Sequence, residues 1–293
     1  MTIPYVTREF IPFPSYSSER LYAFGPGVDN DNWGLGELWA GNGAARNPKL
    51  RDTLAKVEEI ATVCGISNLL VPSVRNFNAL VCSASDFVVS AKSPGGTLTL
   101  HSGRFVDGTI VPPGYASWQA SADCWTILAR NMHKKATAHA GLKSLYDLSE
   151  LKSGKKSRPN FSVVDGVTGK LGGNAKDTHV FIACGIRKEN YGHPIHHPQY
   201  GKDNQELFRY CKWLSPACAY QKGDEYHFDI PGIIEAQFVR QGVPPENIRT
   251  SQNKYGYLTD TYADMDNDGN FLWHSHRRDR TPKRNALLFV NAA

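Results

Sequence analysis

The chain has 293 residues, a formal net charge of +5 and 41% hydrophobic residues, a composition typical of a globular protein. It has no apolar stretch approaching about eighteen residues, which argues against a transmembrane helix. It also lacks a basic N-terminal segment followed by an apolar run, which argues against a secretory signal. The basic residues are spread along the chain, which disfavours nucleic acid as the main ligand. We therefore predict a soluble, cytoplasmic protein without a membrane partner.

The N-terminal part of the chain predicts one clear helix. Residues 1–45 are rich in Gly, Pro and Asn and predict loops, with room for a short strand. Asn47 can cap a helix that Pro48 begins, and Gly65 ends it, so the pattern predicts a helix over about 48–64. Strand-like runs follow, bounded by Gly and Pro: "NLLVPSV", "ALVCSA", "DFVVSA" and "GTLTL".

The rest of the chain mixes strands and helices. "CWTILAR" and "ATAHA" predict a hairpin with the turn "NMHKK", and "LKSLYDLSEL" predicts a helix. Residues 152–178 are polar and rich in Gly, and a buried strand, "HVFIACGI", follows them. Two helices are predicted with Asp203 and Asp229 as caps, followed by the strands "NIRTSQN" and "RNALLFVNA". Because strands and helices alternate throughout, the pattern predicts one α/β domain.

A cysteine and a histidine lie in the predicted hairpin. With the turn centred between Asn131 and Met132, Cys124 and His139 are directly opposite on one face, with Cβ atoms about 4.5–5.5 Å apart. A thiolate beside an imidazolium is a nucleophile with its own proton shuttle. The same two side chains could bind zinc with a third ligand. Alternatively, Cys124 and His139 are two buried core residues that take part in no chemistry.

Motifs around this pair resemble the laccase-domain family. "SADC" and "AHAG" resemble its T-A-D-C and A-H-A-G-W-[RK]-G, and "VDGTIV" resembles its A-D-A-[LV]-V-T. "WHSHRRDRTPKRNALLFV" resembles F-S-Y-R-R-D-G-x-T-G-R with the apolar strand after it. The resemblance covers roughly residues 60–290. It implies a single laccase-like domain over 1–293, with 1–45 as a divergent extension, and a four-layer α/β/β/α fold with mixed sheets.

The resemblance also implies a function. Family members have been described as polyphenol oxidoreductases and as purine nucleoside phosphorylases with adenosine deaminase activity. It therefore implies an enzyme acting on a purine nucleoside or related nucleotide, by phosphorolysis or by base deamination. Cys124 and His139 would be catalytic, and Asp123 would orient them. A second group would bind substrate or phosphate: Arg75, His276, Arg277 and Arg278.

The main departure from the family concerns a metal ligand. In the family, a histidine of Q-V-H-G joins the cysteine and the second histidine at a zinc or copper site. The corresponding stretch here is "PSVRNF", in which Arg75 takes that place, and arginine stays protonated and does not ligate. His101 or His276 could supply the third ligand beside Cys124 and His139. Otherwise the site is metal-free.

Two alternative functions therefore stay open. The short Cys–His spacing and the missing histidine resemble the deamidating cytotoxic necrotising factor toxins, structural relatives that use a Cys/His pair without metal. Their motif L-S-G-C is not matched by "SADC". The protein could thus be a metal-free Cys/His hydrolase or deamidase. It could also be a non-catalytic protein that sequesters a nucleotide-like ligand.

One further stretch is rich in histidine. "HPIHHP" (193–198) places three histidines in a run punctuated by proline. The three histidines could bind a metal adventitiously, but a proline-rich run of this kind favours an exposed loop.

Overall fold

The computed structural model describes residues 3–16, 19–27, 29–35, 49–73, 79–104, 106–251 and 259–291. Its α-helices are α1 (Leu50–Val63), α2 (Leu148–Ser153), α3 (Val163–Leu171), α4 (Gly201–Leu214), α5 (Ile230–Arg240) and α6 (His276–Asp279). Within the described ranges, no helix has both the length and the apolar character needed to cross a bilayer.

Most of the strands lie in two large mixed sheets. In chain order the strands are β1 (Arg8–Phe10), β2 (Leu21–Phe24), β3 (Asn68–Ser73), β4 (Val81–Cys82), β5 (Val88–Lys92), β6 (Thr99–Arg104), β7 (Gly108–Ile110), β8 (Tyr115–Ser121), β9 (Trp125–Arg130), β10 (Lys135–Ala140), β11 (His179–Ala183), β12 (Gly192–Pro194), β13 (Ala219–Lys222), β14 (Glu225–Phe228), β15 (Ile248–Thr250) and β16 (Asn285–Asn291). A seven-stranded sheet has the order β1-β2-β16-β8-β3-β6-β5, and a six-stranded sheet has the order β15-β11-β9-β10-β7-β4. A small antiparallel sheet, β12-β14-β13, stands beside them.

The two large sheets pack face to face between helices. Side chains from both sheets form the central core, among them Leu128 and Phe289. The other face of the seven-stranded sheet packs against α1, and the other face of the six-stranded sheet packs against α3 and α5. This arrangement confirms the predicted single-domain α/β/β/α fold with mixed sheets. The relation to the toxin fold stays a prediction.

The structure adds one helix that the sequence pattern did not predict and corrects the start of another. The polar segment 152–178 contains α3, which begins with a capping box between Ser162 and Asp165 and buries Val163 and Val167. The nine-residue helix was missed because its apolar run is interrupted by Gly and Thr. Asp203 is not a cap, because α4 begins two residues earlier at Gly201. The predicted first helix is confirmed as α1, although Asn47 and Pro48 lie outside the described residues.

The first 45 residues contribute more than loops. β1 pairs with β2, and β2 pairs with β16 at one side of the seven-stranded sheet. Phe24 of β2 is fully buried and stacks on Trp118, with ring centroids 5.3 Å apart. The N-terminal segment therefore supplies two strands and part of the core under α1.

Candidate functional site

The β9–β10 hairpin carries the predicted Cys/His pair in a different register. His139 pairs with Thr126, and Lys135 pairs with Arg130. The prediction that Cys124 lies directly opposite His139 is wrong, because the pairing is displaced by two residues. Cys124 also precedes the first residue of β9, so it lies outside the ladder. A two-residue shift preserves the side-chain face, so a diagonal relation replaces the direct one.

Cys124 opens onto a pocket. It follows the end of β8, where the hydroxyl of Ser121 donates a 2.6 Å hydrogen bond to the carbonyl of Cys124. Cys124 is half-buried as a residue and lines a pocket of about 850 Å³. The residues that line this pocket include Lys143, Tyr146, Arg158, Tyr191, His193 and Tyr200.

His139 lies deeper, beside a buried carboxylate. Its side chain is buried in β10, and its backbone N–H donates to the carbonyl of Asp107 at 2.7 Å. Nδ1 of His139 lies 3.9 Å from Oδ1 of Asp107. The other carboxylate oxygen of Asp107 accepts a 2.6 Å hydrogen bond from the amide of Ala79. His139 is not among the residues that line the pocket. Its neighbour Asp107 is close enough to Cys124 for the carboxylate charge to act on the pKa of the thiol.

Burial decides the protonation of these three groups. It raises the pKa of Cys124 to about 12, and the charges of Asp123 and Asp107 add to the rise while Arg284 opposes it. Burial lowers the pKa of His139 to about 4, with Arg284 adding to the effect. It raises the pKa of Asp107 to about 6. At neutral pH the site therefore holds a neutral thiol and a neutral imidazole, not the thiolate–imidazolium pair of a cysteine nucleophile.

Asp123 fixes the chain around Cys124. Its Oδ1 accepts a 3.0 Å hydrogen bond from the hydroxyl of Thr261, and its Oδ2 accepts one of 2.9 Å from the amide of Arg277. Its carbonyl accepts a 3.0 Å hydrogen bond from the amide of Ile186. Asp123 directly precedes Cys124 and thus connects three distant segments to the chain at the cysteine, as a positioning residue would.

Arg277 supports the wall of the pocket. Its guanidinium donates to the carbonyl of Gly192 at 2.6 Å and contacts Nε2 of His193 at 3.1 Å. Its Cζ lies 4.6 Å from the centroid of the Tyr191 ring, a cation–π arrangement. Arg277 itself is not among the residues that line the pocket. It holds Tyr191 and His193, which are.

Arg278 and His276 are not among the residues that line the pocket. The guanidinium of Arg278 donates to the carbonyls of Thr261, Tyr262 and Trp273 and to the carboxylate of Asp279. His276 is exposed at the start of α6. Their predicted roles in substrate binding stay predictions.

His101 lies far from Cys124. Its Nε2 contacts Oδ1 of Asn68 at 2.9 Å, and its ring packs on Tyr115, the first residue of β8. Cys124 follows the other end of that strand, about 20 Å away at the usual rise per residue. Arg75 lies outside the described residues.

Sequence reasoning missed several residues near Cys124. His193 belongs to "HPIHHP", yet it is half-buried and lines the pocket, so the prediction of an exposed loop is wrong there. Its partner Tyr191 carried no motif. Asp107 and Arg284 did carry signals, because Asp107 is the acid of "VDGTIV" and Arg284 stands at the last arginine of the C-terminal motif.

The side chains around Cys124 do not fit a metal site with three protein ligands. Cys124 and His139 are suitable ligand types. In the part of the chain that the structure describes, however, no three His, Cys, Asp or Glu side chains form a group that could hold a metal ion. The stretches outside it contain one such residue by sequence, Glu37. We therefore derive no chemical step through a bound metal.

Comparison with known proteins identifies the family. A sequence model described as multi-copper polyphenol oxidoreductase laccase matches residues 99–290. The hypothetical protein YfiH of Bacillus licheniformis is 16% identical with a TM-score of 0.65, over 96% of this chain and 98% of that one. YlmD from Geobacillus stearothermophilus is 17% identical with a TM-score of 0.63, over 96% and 94%. The Neisseria meningitidis protein NMB0706 is 16% identical with a TM-score of 0.63, over 96% and 97%.

These comparisons differ in what they show. At such identities, the likeness to the solved structures shows the fold alone. No curated protein matches the sequence significantly. The family match spans well over half of the chain and includes both Cys124 and His139. The chain therefore belongs to the multi-copper polyphenol oxidoreductase laccase family.

Proposed function

We propose that the protein is an enzyme that acts on a purine nucleoside or a related nucleotide in the pocket beside Cys124. One observation carries the proposal: a pocket of about 850 Å³ opens directly on this thiol and is walled by the rings of Tyr146, Tyr191 and Tyr200. Its volume falls within the range of small-molecule sites, roughly 300–1,000 Å³. Aromatic walls suit a flat base, which stacks on them in offset or edge-to-face geometry.

Cationic groups in the pocket suit an anionic co-substrate. The ammonium of Lys143 lies 5.9 Å from the centroid of the Tyr200 ring, at an exposed position of the wall. Arg158 lines the same pocket, and its guanidinium donates to the carbonyls of Lys143, Asn160 and Phe161. Two carboxylates also line the pocket, but Asp203 is paired with Lys152 and Asp147 accepts hydrogen bonds from Ser157. Lys143 and Arg158 can therefore bind a phosphate, either free or on a nucleotide.

The proposed chemistry is bond cleavage at the base with a proton transfer. In phosphorolysis, an oxygen of hydrogenphosphate bonds to the anomeric carbon while the bond to the base nitrogen breaks, and the base leaves with that electron pair and takes up the proton that the hydrogenphosphate gives up. In deamination, water adds to the ring carbon that bears the amine, one of its protons passes to the ring nitrogen and the other to the amine, and ammonia leaves. Both reactions place electron density on the base. We assign to the protonated thiol of Cys124 the hydrogen bond to the ring nitrogen that receives it.

Other readings of the site have less support. A thiolate hydrolase or deamidase requires a lowered cysteine pKa, whereas burial raises that of Cys124 to about 12. Copper-dependent oxidation of polyphenols requires a donor set that the described residues do not assemble. Sequestration of a nucleotide-like ligand would use the same pocket, and it differs from the proposal only in lacking turnover.

Product analysis tests the proposal. The purified protein is incubated with adenosine, inosine, guanosine and their monophosphates, with and without phosphate, and with and without a chelator. We expect release of free base that depends on phosphate, or release of ammonia, unchanged by the chelator. An absence of products from every substrate, with ligand recovered intact from the protein, would leave only a binding role. Activity lost on chelation would show that a metal is required.

A further inference from the structure

We propose that the Cys124 pocket takes a purine with a carbonyl oxygen at C6, as in inosine and guanosine, and that His193 donates a hydrogen bond to this oxygen. The inference rests on the proposed function and narrows it to phosphorolysis, because deamination requires an amine at C6. It depends on three residues of the pocket wall whose donor or acceptor character is fixed by their neighbours: Cys124, His193 and Asn204.

Arg277 fixes the tautomer of His193. A guanidinium can only donate, so the 3.1 Å contact from Nη2 of Arg277 makes Nε2 of His193 the acceptor. Burial and then the charge of Arg277 lower the pKa of His193 to about 3, so the ring is neutral at neutral pH. The one N–H hydrogen of the neutral ring is therefore on Nδ1.

Nδ1 of His193 can reach a ligand. It lies on the other side of the ring from Nε2, and hence away from Arg277, which does not line the pocket. In the part of the chain that the structure describes, no group bonds to Nδ1, and the atom keeps accessible surface. His193 thus offers the pocket a donor and no acceptor. An amine placed against this N–H would leave two donors facing each other unpaired, which is unfavourable.

Asn204 is fixed as an acceptor. Its Nδ2 donates to the carbonyl of Pro194 at 2.9 Å, and because a carbonyl can only accept, this contact determines the orientation of the amide. Within the described ranges, Oδ1 of Asn204 has no partner and also keeps accessible surface. Since Pro194 directly follows His193, the acceptor belongs to the same part of the pocket wall.

Cys124 supplies a second donor near His193. Burial keeps its thiol protonated, with a pKa of about 12. Burial and then Cys124 raise the pKa of Tyr191, so Cys124 lies close to this phenol. The rings of Tyr191 and His193 meet edge to face with centroids 4.7 Å apart. This series of contacts orders the three groups along the wall as donor, donor and acceptor.

The edge of a 6-oxopurine is complementary to this order. It presents N7 and O6 as acceptors and then N1–H as a donor, which pair with Cys124, His193 and Asn204 in turn. Adenine presents N7 as an acceptor, the C6 amine as a donor and N1 as an acceptor. With N7 on the thiol, adenine therefore mismatches both His193 and Asn204.

Calorimetric binding of three nucleosides in phosphate-free buffer tests this selectivity without turnover. Inosine carries the C6 oxygen, adenosine carries the amine, and purine riboside has neither. We expect inosine to bind at least tenfold tighter than adenosine, the size of one hydrogen bond, with purine riboside between them. Equal affinities of inosine and adenosine would overturn the inference. Conversion of adenosine into inosine by the protein would overturn it as well.

Substitutions assign the selectivity to His193. His193→Leu removes the donor and should lower the ratio of inosine to adenosine affinity by about tenfold. His193→Asn should keep the ratio, because the asparagine amide nitrogen is bonded to Cγ as Nδ1 is. The control is His196→Leu, at an exposed histidine of the same "HPIHHP" run that does not line the pocket. A ratio unchanged in His193→Leu would overturn the role of His193.

The tautomer of His193 is measured in the wild-type protein, so this test stands even if a variant does not fold. Nitrogen chemical shifts in NMR distinguish a protonated ring nitrogen from a bare one. We expect Nδ1 protonated and Nε2 bare at neutral pH. Arg277→Met should let the proton move partly to Nε2 and should lower the inosine preference. A wild-type His193 ring protonated at Nε2 would overturn the inference.

The outcomes separate this inference from the proposed function. Selective binding of inosine without turnover would remove the proposed function and leave the selectivity standing. Phosphorolysis of inosine and adenosine at equal rates, with equal affinities, would remove only the selectivity. Binding of neither nucleoside would overturn both.

Discussion

The amide of Arg277 donates a 2.9 Å hydrogen bond to Oδ2 of Asp123, which joins the start of α6 to the residue before Cys124. Arg277 also holds Gly192 and His193 through its guanidinium. One residue thus connects the thiol-bearing loop to the opposite wall of the pocket. Positions in this chain of contacts should affect the activity without touching substrate.

Asp123→Asn tests the first of these contacts. The asparagine amide can replace one carboxylate oxygen but places an N–H₂ group against either the Arg277 amide or the Thr261 hydroxyl. Loss of a charge-assisted hydrogen bond in a buried site should lower the free energy of unfolding by about 1–3 kcal/mol. We expect activity to fall further than stability explains, because Cys124 is displaced. Urea unfolding and initial rates measure both, with exposed Asp177→Asn as the control. Unchanged activity would remove Asp123 from the site.

Arg277→Met tests the support of the pocket wall. Burial and then the charge of Arg277 lower the pKa of His193 to about 3. Removal of the charge should raise this pKa towards its usual value of 6.5. NMR titration of the imidazole measures the shift, and a KM increase larger than the kcat decrease would mark loss of wall positioning. Arg187→Met is the control. An unmoved His193 titration would contradict the contact.

A pH-dependent contribution to stability comes from Glu58 on α1. Its carboxylate accepts hydrogen bonds from the amides of Gly95 and Thr97 and from the Thr97 hydroxyl. Bonds from Ser93 and Thr97 lower its pKa from 4.5 to about 2. Since the folded pKa lies below the unfolded one, the contribution is complete above pH 4.5 and is lost as the pH falls towards 2.

Glu58→Gln should remove this dependence. The free energy of unfolding of the variant should be lower than that of wild type at pH 6, and the difference should shrink as the pH falls below 4.5. Chemical unfolding at several pH values measures it. A difference that stays constant across this range would mean that the carboxylate charge is irrelevant there.

Gly108→Ala tests the close approach of β7 and β10 next to His139. A Cβ at Gly108 would lie 2.5 Å from the carbonyl oxygen of Thr137 and 2.6 Å from Cβ of Ala138. Overpacking of this kind costs about 1–3 kcal/mol of stability. The control is Gly169→Ala in α3, where an added Cβ meets nothing within 4 Å. Thermal unfolding of both variants measures the loss of stability. A Gly108→Ala variant as stable as the wild type would show that β7 and β10 can move apart to admit the added Cβ.

The sequence pattern predicted the strands and helices of the fold better than it predicted which distant residues contact one another. Apolar runs such as "HVFIA" and "NALLFV" form buried strands. They were predicted because a strand that is covered on both faces can be recognised from a continuous apolar run alone. α3 was missed because Ser162 and Asp165 cap it within a polar segment, and its packing partners come from distant strands.

The residues of the site likewise fall into two groups, those that belong to a sequence motif and those that only the fold brings to the pocket. Cys124 and Asp123 were found because they belong to a motif, and Asp107 and Arg284 could have been found by the same reasoning. The hairpin register depends on where the turn closes, and a shift of two residues separated Cys124 from His139 along the ladder. Tyr191 and His193 reach the pocket through the small sheet and Arg277, contacts that no local pattern contains.

The initial rate of base or ammonia release by Cys124→Ala, compared with Cys82→Ala, tests the central claim most directly. Cys82 is a half-buried thiol on β4 that does not line the pocket. We predict that Cys82→Ala retains the wild-type rate and that Cys124→Ala loses it by about tenfold, the size of the one hydrogen bond that the thiol donates to the base. Equal rates for both variants would show that the chemistry takes place without Cys124.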